Sequence, residues 1–556
     1  MIDTILKNGQ DGKVCQQIDM GMLQEVIPTS QIEELLDTYQ MWEVRERKTN
    51  MIVIIYWLIA LHLYPTLSQR RVYGKMVSGL RTTRDDVPKQ IPQTPAFSYR
   101  REQLGSELLQ ELFAQIAGPK ASEEKTPQAF WKGMRLLAID GTVESVPDTE
   151  NNREAFRYST DDECSHSPFP QARLLLLVEC GTHLICDGEI SSCRQAEANG
   201  LRLLLERWKI EKGLILWDSG FHSSSAIFQV CAFGGHVLGR LKCNILLNPY
   251  STLVDGSYLV PIYEDQSHQR GESMFVRVIT YTFTDARIPG AGEQTYRLVT
   301  TLLDPFLYPA RELAVLYHER WHVEVIIDET RTHMRLAART LRSLTPEGVV
   351  QEIYALLLAH TVIRTLMLEA AEQAHIAPTQ ISFTETIRIM DENLVPLSLV
   401  NAPRRHSMIE QIIKEIGAQR LPKQPIRIQP RVVKRAYSRY DRKKPEHLQA
   451  PALEVDATFF EIIAVVPCIQ GLARVPEMPL LNPVKEAPGL LSGGKTKGSR
   501  TLKSPVCTST PDREDPSSPK ATADASSSPN SDTEAKTSKA REPGRKTGRI
   551  CATRSP

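Results

Sequence analysis

Residues 135–142 read Arg-Leu-Leu-Ala-Ile-Asp-Gly-Thr, a short apolar run that ends on Asp140. Residues 214–220 repeat the pattern as Leu-Ile-Leu-Trp-Asp-Ser-Gly, with Asp218 in the same place. An apolar run this short, closed by an aspartate and a nearby glycine, is expected to be a buried strand rather than a helix. Two more strands are expected from Gln171 (QARLLLLVEC) and near His183 (HLICDGEI), and a helix over residues 197–209 precedes the last strand. Strands and helix interleaved in this way predict a mixed α/β sheet with an aspartate at the C-terminal ends of two strands. Ligands bind at that edge of open α/β sheets, although an aspartate after a strand also commonly does no more than start a turn.

Working outward, residues 1–117 are expected to form a helical N-terminal domain, running from IEELLDTYQMWEVRER (32–47) to SELLQELFAQIAG (106–118). Between these lies Met51–Tyr64 (MIVIIYWLIALHLY), an apolar run of 14 residues that contains His62. It falls short of the roughly 20 residues that span a bilayer, so a buried helix is expected and no membrane partner. The strands above belong to the first part of a core, residues 128–235. Alternating runs such as SYLVPIY, SMFVRVITYTFT and TYRLVTTLL mark residues 236–304 as a β-rich insertion. The core resumes over residues 305–375 with a helix from Arg311 to about Leu341 and more helix over 346–374. Residues 376–484 are expected to be helical and basic, and 485–556, rich in Ser, Thr, Pro, Gly and Lys, a disordered tail.

With 556 residues, 41% of them apolar and 24% charged, the chain excludes a fibrous or wholly disordered protein and allows several domains. Ten cysteines form no CxxC pair, which points to reduced thiols in the cytoplasm. The net charge of +1 hides an asymmetry: residues 1–400 hold eleven more acids than bases, residues 401–556 twelve more bases than acids. Residues 420–444 concentrate ten Lys/Arg against one acid, with Tyr437 and Tyr440 among them, a composition suited to nucleic acid.

The predicted helix after residue 311 carries Tyr317, Arg320, Glu324, Asp328 and Arg331 at spacings of 3, 4, 4 and 3, one polar stripe on an otherwise apolar cylinder. An ion-pair ladder on a solvated face would explain such a stripe. A helix this apolar on its other sides packs into a core, however, where charge needs partners, and that favours a cleft lined by Glu324. Two motifs compete with this reading. His318-Glu319-Arg320-Trp321-His322 fits HExxH, the zinc-protease pattern, with Glu347 or Glu352 as a third ligand, but it leaves Asp140 and Asp218 unexplained. Gly489–Thr496 fits GxxxxGK[ST], yet it has neither a strand before it nor a helix after it to make a phosphate loop.

LLAIDGT, ILWDSGF and Tyr317-x2-Arg320-x3-Glu324-x6-Arg331, the last inside LYHERWHVEVIIDETR and followed by LRSLTPEGVVQEIYALLLAH, together resemble the insertion-sequence 4 (IS-4) family of DDE transposases. The resemblance spans about residues 30–445 and implies a ribonuclease-H-like catalytic core. It implies Asp140, Asp218 and Glu324 as catalytic acids and ligands of two Mg²⁺ or Mn²⁺ ions, a donor set of oxygens alone that suits such ions. Tyr317 and Arg320 match the family's signature helix; Arg331 stands where the signature has lysine, keeping the charge but as a planar fork. With Arg431, Lys434 and Arg435 of the basic segment, these residues are expected to contact DNA, and the resemblance implies that the helical N-terminal domain, residues 1–117, is DNA-binding too. The implied activity is cleavage at transposon inverted-repeat ends and strand transfer into target DNA, by a homodimer associated with the nucleoid in the cytoplasm. A catalytically inactive, DNA-binding descendant is the rival reading, and the zinc protease a more distant one.

Overall fold

A computed structural model describes residues 21–42, 50–79, 90–160, 167–207, 212–242, 244–265, 270–284, 292, 295–335, 340–422 and 456–464. The strands are β1 (Phe130–Trp131), β2 (Met134–Ser145), β3 (Gln171–Glu179), β4 (Leu184–Ser192), β5 (Gly213–Trp217), β6 (His236–Arg240), β7 (Ser251–Thr252), β8 (Tyr258–Asp265), β9 (Arg270–Phe283), β10 (Tyr296–Thr300) and β11 (Phe460–Ile462). They form one mixed sheet in the order β4-β3-β2-β5-β6-β10-β9-β8-β7, with β1 on β2 and β11 on β9. β2, β3 and β4 make an antiparallel meander, and β5 and β6 run parallel to β2. A meander of three strands beside two strands parallel to its first is the ribonuclease-H-like core that the resemblance implies. The alternating runs after residue 236 extend this sheet, through β10 paired with both β6 and β9.

β2 does not end at Asp140 as its sequence suggests. It continues to Ser145 because β3 accompanies it from Leu137–Glu179 to Ser145–Gln171, whereas the parallel pairing with β5 stops at Ile139–Trp217. Asp140 therefore sits where one neighbour of β2 ends and the other carries on.

Side chains alternate across a strand, and the two faces of the sheet bury different sets. Leu136, Ala138, Leu214, Leu216 and Leu238 face one core; Leu137, Ile139, Ile215, Trp217 and Val237 face the other. The second core is covered by α1 (Glu197–Arg207) and α2 (Ser224–Ala232), through Leu201, Leu204, Leu205, Ile227 and Val230. The first core takes the N-terminal helices, the helical stretch that starts with α3 (Ala310–Leu316), and the long helix Pro346–Ala374. The apolar run of the N-terminal region is the helix Met51–Leu63, in which Met51 to His62 are all buried, and Asn50 Oδ1 caps it by accepting from Val53 N at 2.8 Å. Helix Pro346–Ala374 is long and apolar enough to cross a membrane, yet 89% of its most apolar window is buried inside the protein. It packs against Met51–Leu63 and reads as a core helix.

Trp217 imposes a demand on its neighbour. It lies opposite Gly239 in β6, and a Cβ at Gly239 would stand 1.9 Å from the Trp217 indole nitrogen. Gly239→Ala is expected to destabilise the chain by about 2 kcal/mol or more through overpacking, read as a lower urea midpoint; an unchanged midpoint would contradict the packing.

Burial holds several imidazoles neutral. It lowers His62 to about 3 with Arg342 and Arg335 adding to the effect, His222 to about 4 with Lys242 and Arg297, and His318 to about 4 with Arg320 and against Glu319. The unfolded chain titrates near the ordinary histidine value of about 6.5, so below it the unfolded state binds more protons and stability is lost as pH falls. Denaturation midpoints are expected to be lower near pH 5 than near pH 7.5, by up to about 1.4 kcal/mol per pH unit for each such histidine. A midpoint that holds or rises near pH 5 would refute this.

Candidate active site

Two properties of the sheet bring Asp140 and Asp218 together. Ile139 pairs with Trp217 across parallel strands, so the next residue of each is the next pair in line. Both numbers are even, as are those of Leu136, Ala138, Leu214 and Leu216, so both carboxylates leave the sheet on the face covered by the helix that follows residue 310. Each is steadied by a glycine N–H: Asp140 Oδ1 accepts from Gly141 at 2.8 Å and Asp218 Oδ1 from Gly220 at 2.6 Å.

The same glycines leave space for a further carboxylate. A Cβ on Gly141 would lie 3.0 Å from Glu197 Oε1, and one on Gly220 would lie 3.3 Å from Glu197 Oε2. Glu197 opens α1 and is ion-paired with Arg173. Nothing in the local sequence marks it, because its place depends on how α1 crosses the sheet.

The expected single helix over 311–341 is broken into unlike turns. α3 passes through a 3₁₀ turn, Tyr317–Arg320, into α4 (Trp321–Asp328), and then into a π turn, Glu329–His333. Each change of pitch has anchors. Before α3, the fully buried Arg277 of β9 donates to the Tyr308 carbonyl at 2.6 Å and pairs with Asp255, whose Oδ2 also accepts from Ala310 N at 3.0 Å. In the π turn, Glu329 is buried and accepts from Arg364 Nε and His360 Nε2, both at 3.0 Å, from the long helix behind it. Burial alone would raise the Glu329 carboxyl, but Arg364 and His360 hold it below its ordinary value. π turns inside helices occur mostly where a helix must re-aim side chains, often at functional sites.

This irregular helix sorts the polar stripe. Arg320 Nη2 donates to Glu324 Oε1 at 2.9 Å and its Nη1 reaches Asp140 Oδ2 at 3.4 Å, so one guanidinium ties the strand acid to the helix acid. Burial pushes the Asp140 carboxyl up to about 6; Asp218 and Glu324 add to the push, while Arg320 and the Gly141 N–H oppose it. The three acids thus share one electrostatic neighbourhood. Burial works against the Arg320 charge, which Tyr317, Glu324 and Asp140 nonetheless hold above its ordinary value. Tyr317 is buried beside them, its phenol pushed up to about 12 by burial and by Asp218, against Arg320 and Arg240. Arg331, half exposed, donates through Nη1 to Thr142 Oγ1 at 3.3 Å. Asp328 leaves the stripe: its side chain is 61% exposed and pairs with His333 and Thr332.

The HExxH reading does not survive. The 3₁₀ turn swings His318 among Phe283, Phe460 and Tyr317, while His322 bonds His183 at 2.6 Å and Glu319 at 2.8 Å, so the two imidazoles face different partners. Among the described residues no group of three His, Cys, Asp or Glu is gathered ready to close on a metal ion. The three acids converge, but with the Arg320 guanidinium between Asp140 and Glu324. Arg431, Lys434 and Arg435, the rest of the basic segment past residue 422, the expected tail and the GxxxxGK[ST] match lie outside the described residues.

Comparison with known proteins follows the same lines. The chain matches the family described as Transposase DDE domain over residues 131–362 and the one described as Insertion element 4 transposase N-terminal over residues 17–114. It is 27% identical over 344 residues to transposase InsG for insertion sequence element IS4 of Escherichia coli (strain K12), covering 60% of this chain and 75% of InsG. InsZ of the same organism is 23% identical over 207 residues, 37% of this chain and 66% of its own. A solved piggyBac transposase synaptic complex with hairpin DNA overlaps 74% of this chain and 85% of its own at 10% identity and a TM-score of 0.36, too loose a likeness to weigh. The two family matches cover the N-terminal helices and the whole stretch from Asp140 to Glu324, and the chain belongs to the DDE transposases of the insertion-sequence 4 type.

Proposed function

We propose that Asp140, Asp218 and Glu324 are the acids on which this transposase performs metal-dependent DNA cleavage and strand transfer. The observation that carries the assignment is their convergence on one face of the sheet, where burial and mutual repulsion push Asp140 up to about 6 with one guanidinium bridging it to Glu324. A cluster of acids this short of positive charge fits a divalent cation, and oxygen-only donors fit Mg²⁺ or Mn²⁺ rather than a structural zinc. Two such ions, when bound, activate the attacking water or 3′-hydroxyl and stabilise the leaving oxygen. The carboxylates would hold and orient that charge, with Glu197 packed behind them against Gly141 and Gly220. Arg320 offsets part of the charge of Asp140 and Glu324 and would turn to a backbone phosphate when cations take over that role. Tyr317 and Arg331 flank the same position, and phosphate contacts of this kind set register without reading bases.

Transposon ends and target DNA are the proposed substrates, with the N-terminal helices and the basic segment carrying Arg431, Lys434 and Arg435 as added DNA contacts. A homodimer on paired ends, acting in the cytoplasm at the nucleoid, completes the proposal. Three intact acids favour it over an inactive DNA-binding descendant.

Incubating the purified chain with end-containing DNA and Mg²⁺ tests the assignment. Asp140→Ala, Asp218→Ala and Glu324→Ala are each expected to cut strand cleavage on the order of 10³-fold or more while DNA binding persists. Cleavage that survives all three substitutions would overturn it.

A further inference from the structure

Glu144 is a buried acid that the chemistry above leaves unused. It follows Asp140 by four residues and Thr142 by two, so the three share one face of β2, and it is 2% exposed. Its Oε2 accepts from Arg335 Nη1, and its Oε1 lies 3.7 Å from Arg331 Nε. Arg331 Nη1 in turn donates to Thr142 Oγ1 at 3.3 Å. β2 thus faces arginines from the glutamate-bearing helix and the turn that follows it: Asp140 meets Arg320, Thr142 meets Arg331, and Glu144 meets Arg331 and Arg335.

A carboxylate this far from water persists only when paired, and the buried Arg335 already supplies one full counter-charge. The second arginine is therefore not required for neutrality. It differs from Arg335 in being 49% exposed, against 7%. Its Nη1 hydrogen-bonds Thr142 at 3.3 Å and its Nε lies at ion-pair distance, 3.7 Å, from Glu144, so two acceptors of one strand face the fork while half of the side chain stays open to solvent. We propose that Glu144, together with Thr142, is a positioning residue that aims the Arg331 guanidinium at a DNA backbone phosphate beside Asp140. The inference rests on the reading of Asp140, Asp218 and Glu324 as the catalytic acids.

It also accounts for arginine where the family signature has lysine. An ammonium group is a point charge on a flexible stem, and gripped by Glu144 it would have no planar fork left to present. In this chain Arg331 and Glu144 form a matched pair: the fork supplies one edge to the strand and the other to the phosphate.

Steady-state cleavage of end DNA by the full chain tests the pairing through a double-mutant cycle. Arg331→Lys and Glu144→Gln are each expected to raise the KM for DNA about tenfold with kcat nearly unchanged, and the double variant no more than the larger single effect. A variant that is merely less folded loses active fraction, lowering kcat at constant KM. If Glu144→Gln does not fold, Thr142→Val removes the other anchor of Arg331 and takes its place in the cycle. Arg331→Lys with wild-type KM, or single effects that multiply in the double variant, would overturn the inference. Asp140→Ala run alongside separates the failures: if it still cleaves, the reading of the acids is wrong, and if it is inactive while Arg331→Lys is unimpaired, only the positioning role falls.

Discussion

The parallel pairing of β2 with β5, in the register that sets Ile139 beside Trp217, is the constraint on which the rest of this molecule depends. It places Asp140 and Asp218 next to each other, and the two-residue period of a strand sends both to the same face. A slip of one residue in either strand would turn that aspartate into the core behind the sheet, among Ile139, Ile215 and Val237. The register is held by apolar packing on both sides of the strands, where each fully buried Leu or Ile contributes roughly 1.5–3 kcal/mol, so the placing of the two aspartates is enforced by core residues away from them. The tight fit of Trp217 against Gly239 belongs to the same enforcement.

The third acid reaches this point through a helix that is deliberately irregular. The Arg277–Asp255 pair fixes where the helical stretch begins, and Glu329, gripped by Arg364 and His360, fixes its π turn. Between these anchors, Glu324 is turned to the strand acids and Arg320 bridges the gap. The strands added beyond β6 contribute here as well, since Arg277 sits in β9 and ties the turn before α3 to the extended sheet. Beyond Asp140, β2 keeps supplying acceptors to the side chains that follow it, so one strand organises both Asp140 and the arginines Arg320, Arg331 and Arg335.

Much of this was legible in the residues alone. The runs at 135–139, 171–180 and 214–217 announced three of the core strands, because fully buried strands need continuous apolar sequence, and HLICDGEI at 183–190 announced the edge strand β4 beside them. The convergence of Asp140, Asp218 and Glu324 followed from their family pattern. Less visible was the continuation of β2 past Asp140, since Asp140-Gly141 reads as the start of a turn until β3 is laid beside the strand. The HExxH motif, which already leaves Asp140 and Asp218 unexplained, falls for a further reason: an i, i+4 spacing joins two side chains on a regular helix, and here a 3₁₀ turn intervenes. Glu197 and Glu144 carry no local mark at all, because both owe their position to contacts made across tens of residues. Asp328 fitted the stripe by angle, but its side chain is 61% exposed and pairs with His333 and Thr332 rather than with the acids.

The central claim is that Asp140, Asp218 and Glu324 surround one cation-binding point. The most direct test replaces Mg²⁺ with Fe²⁺ in the DNA-bound full chain and lets ascorbate and peroxide generate hydroxyl radicals at the bound ion, with cuts in the polypeptide mapped by mass. The account predicts backbone scission at three separate places, close to residues 140, 218 and 324, suppressed together by excess Mg²⁺. Cuts confined to one of these places, or gathered instead around His183, His318 and His322, would contradict it.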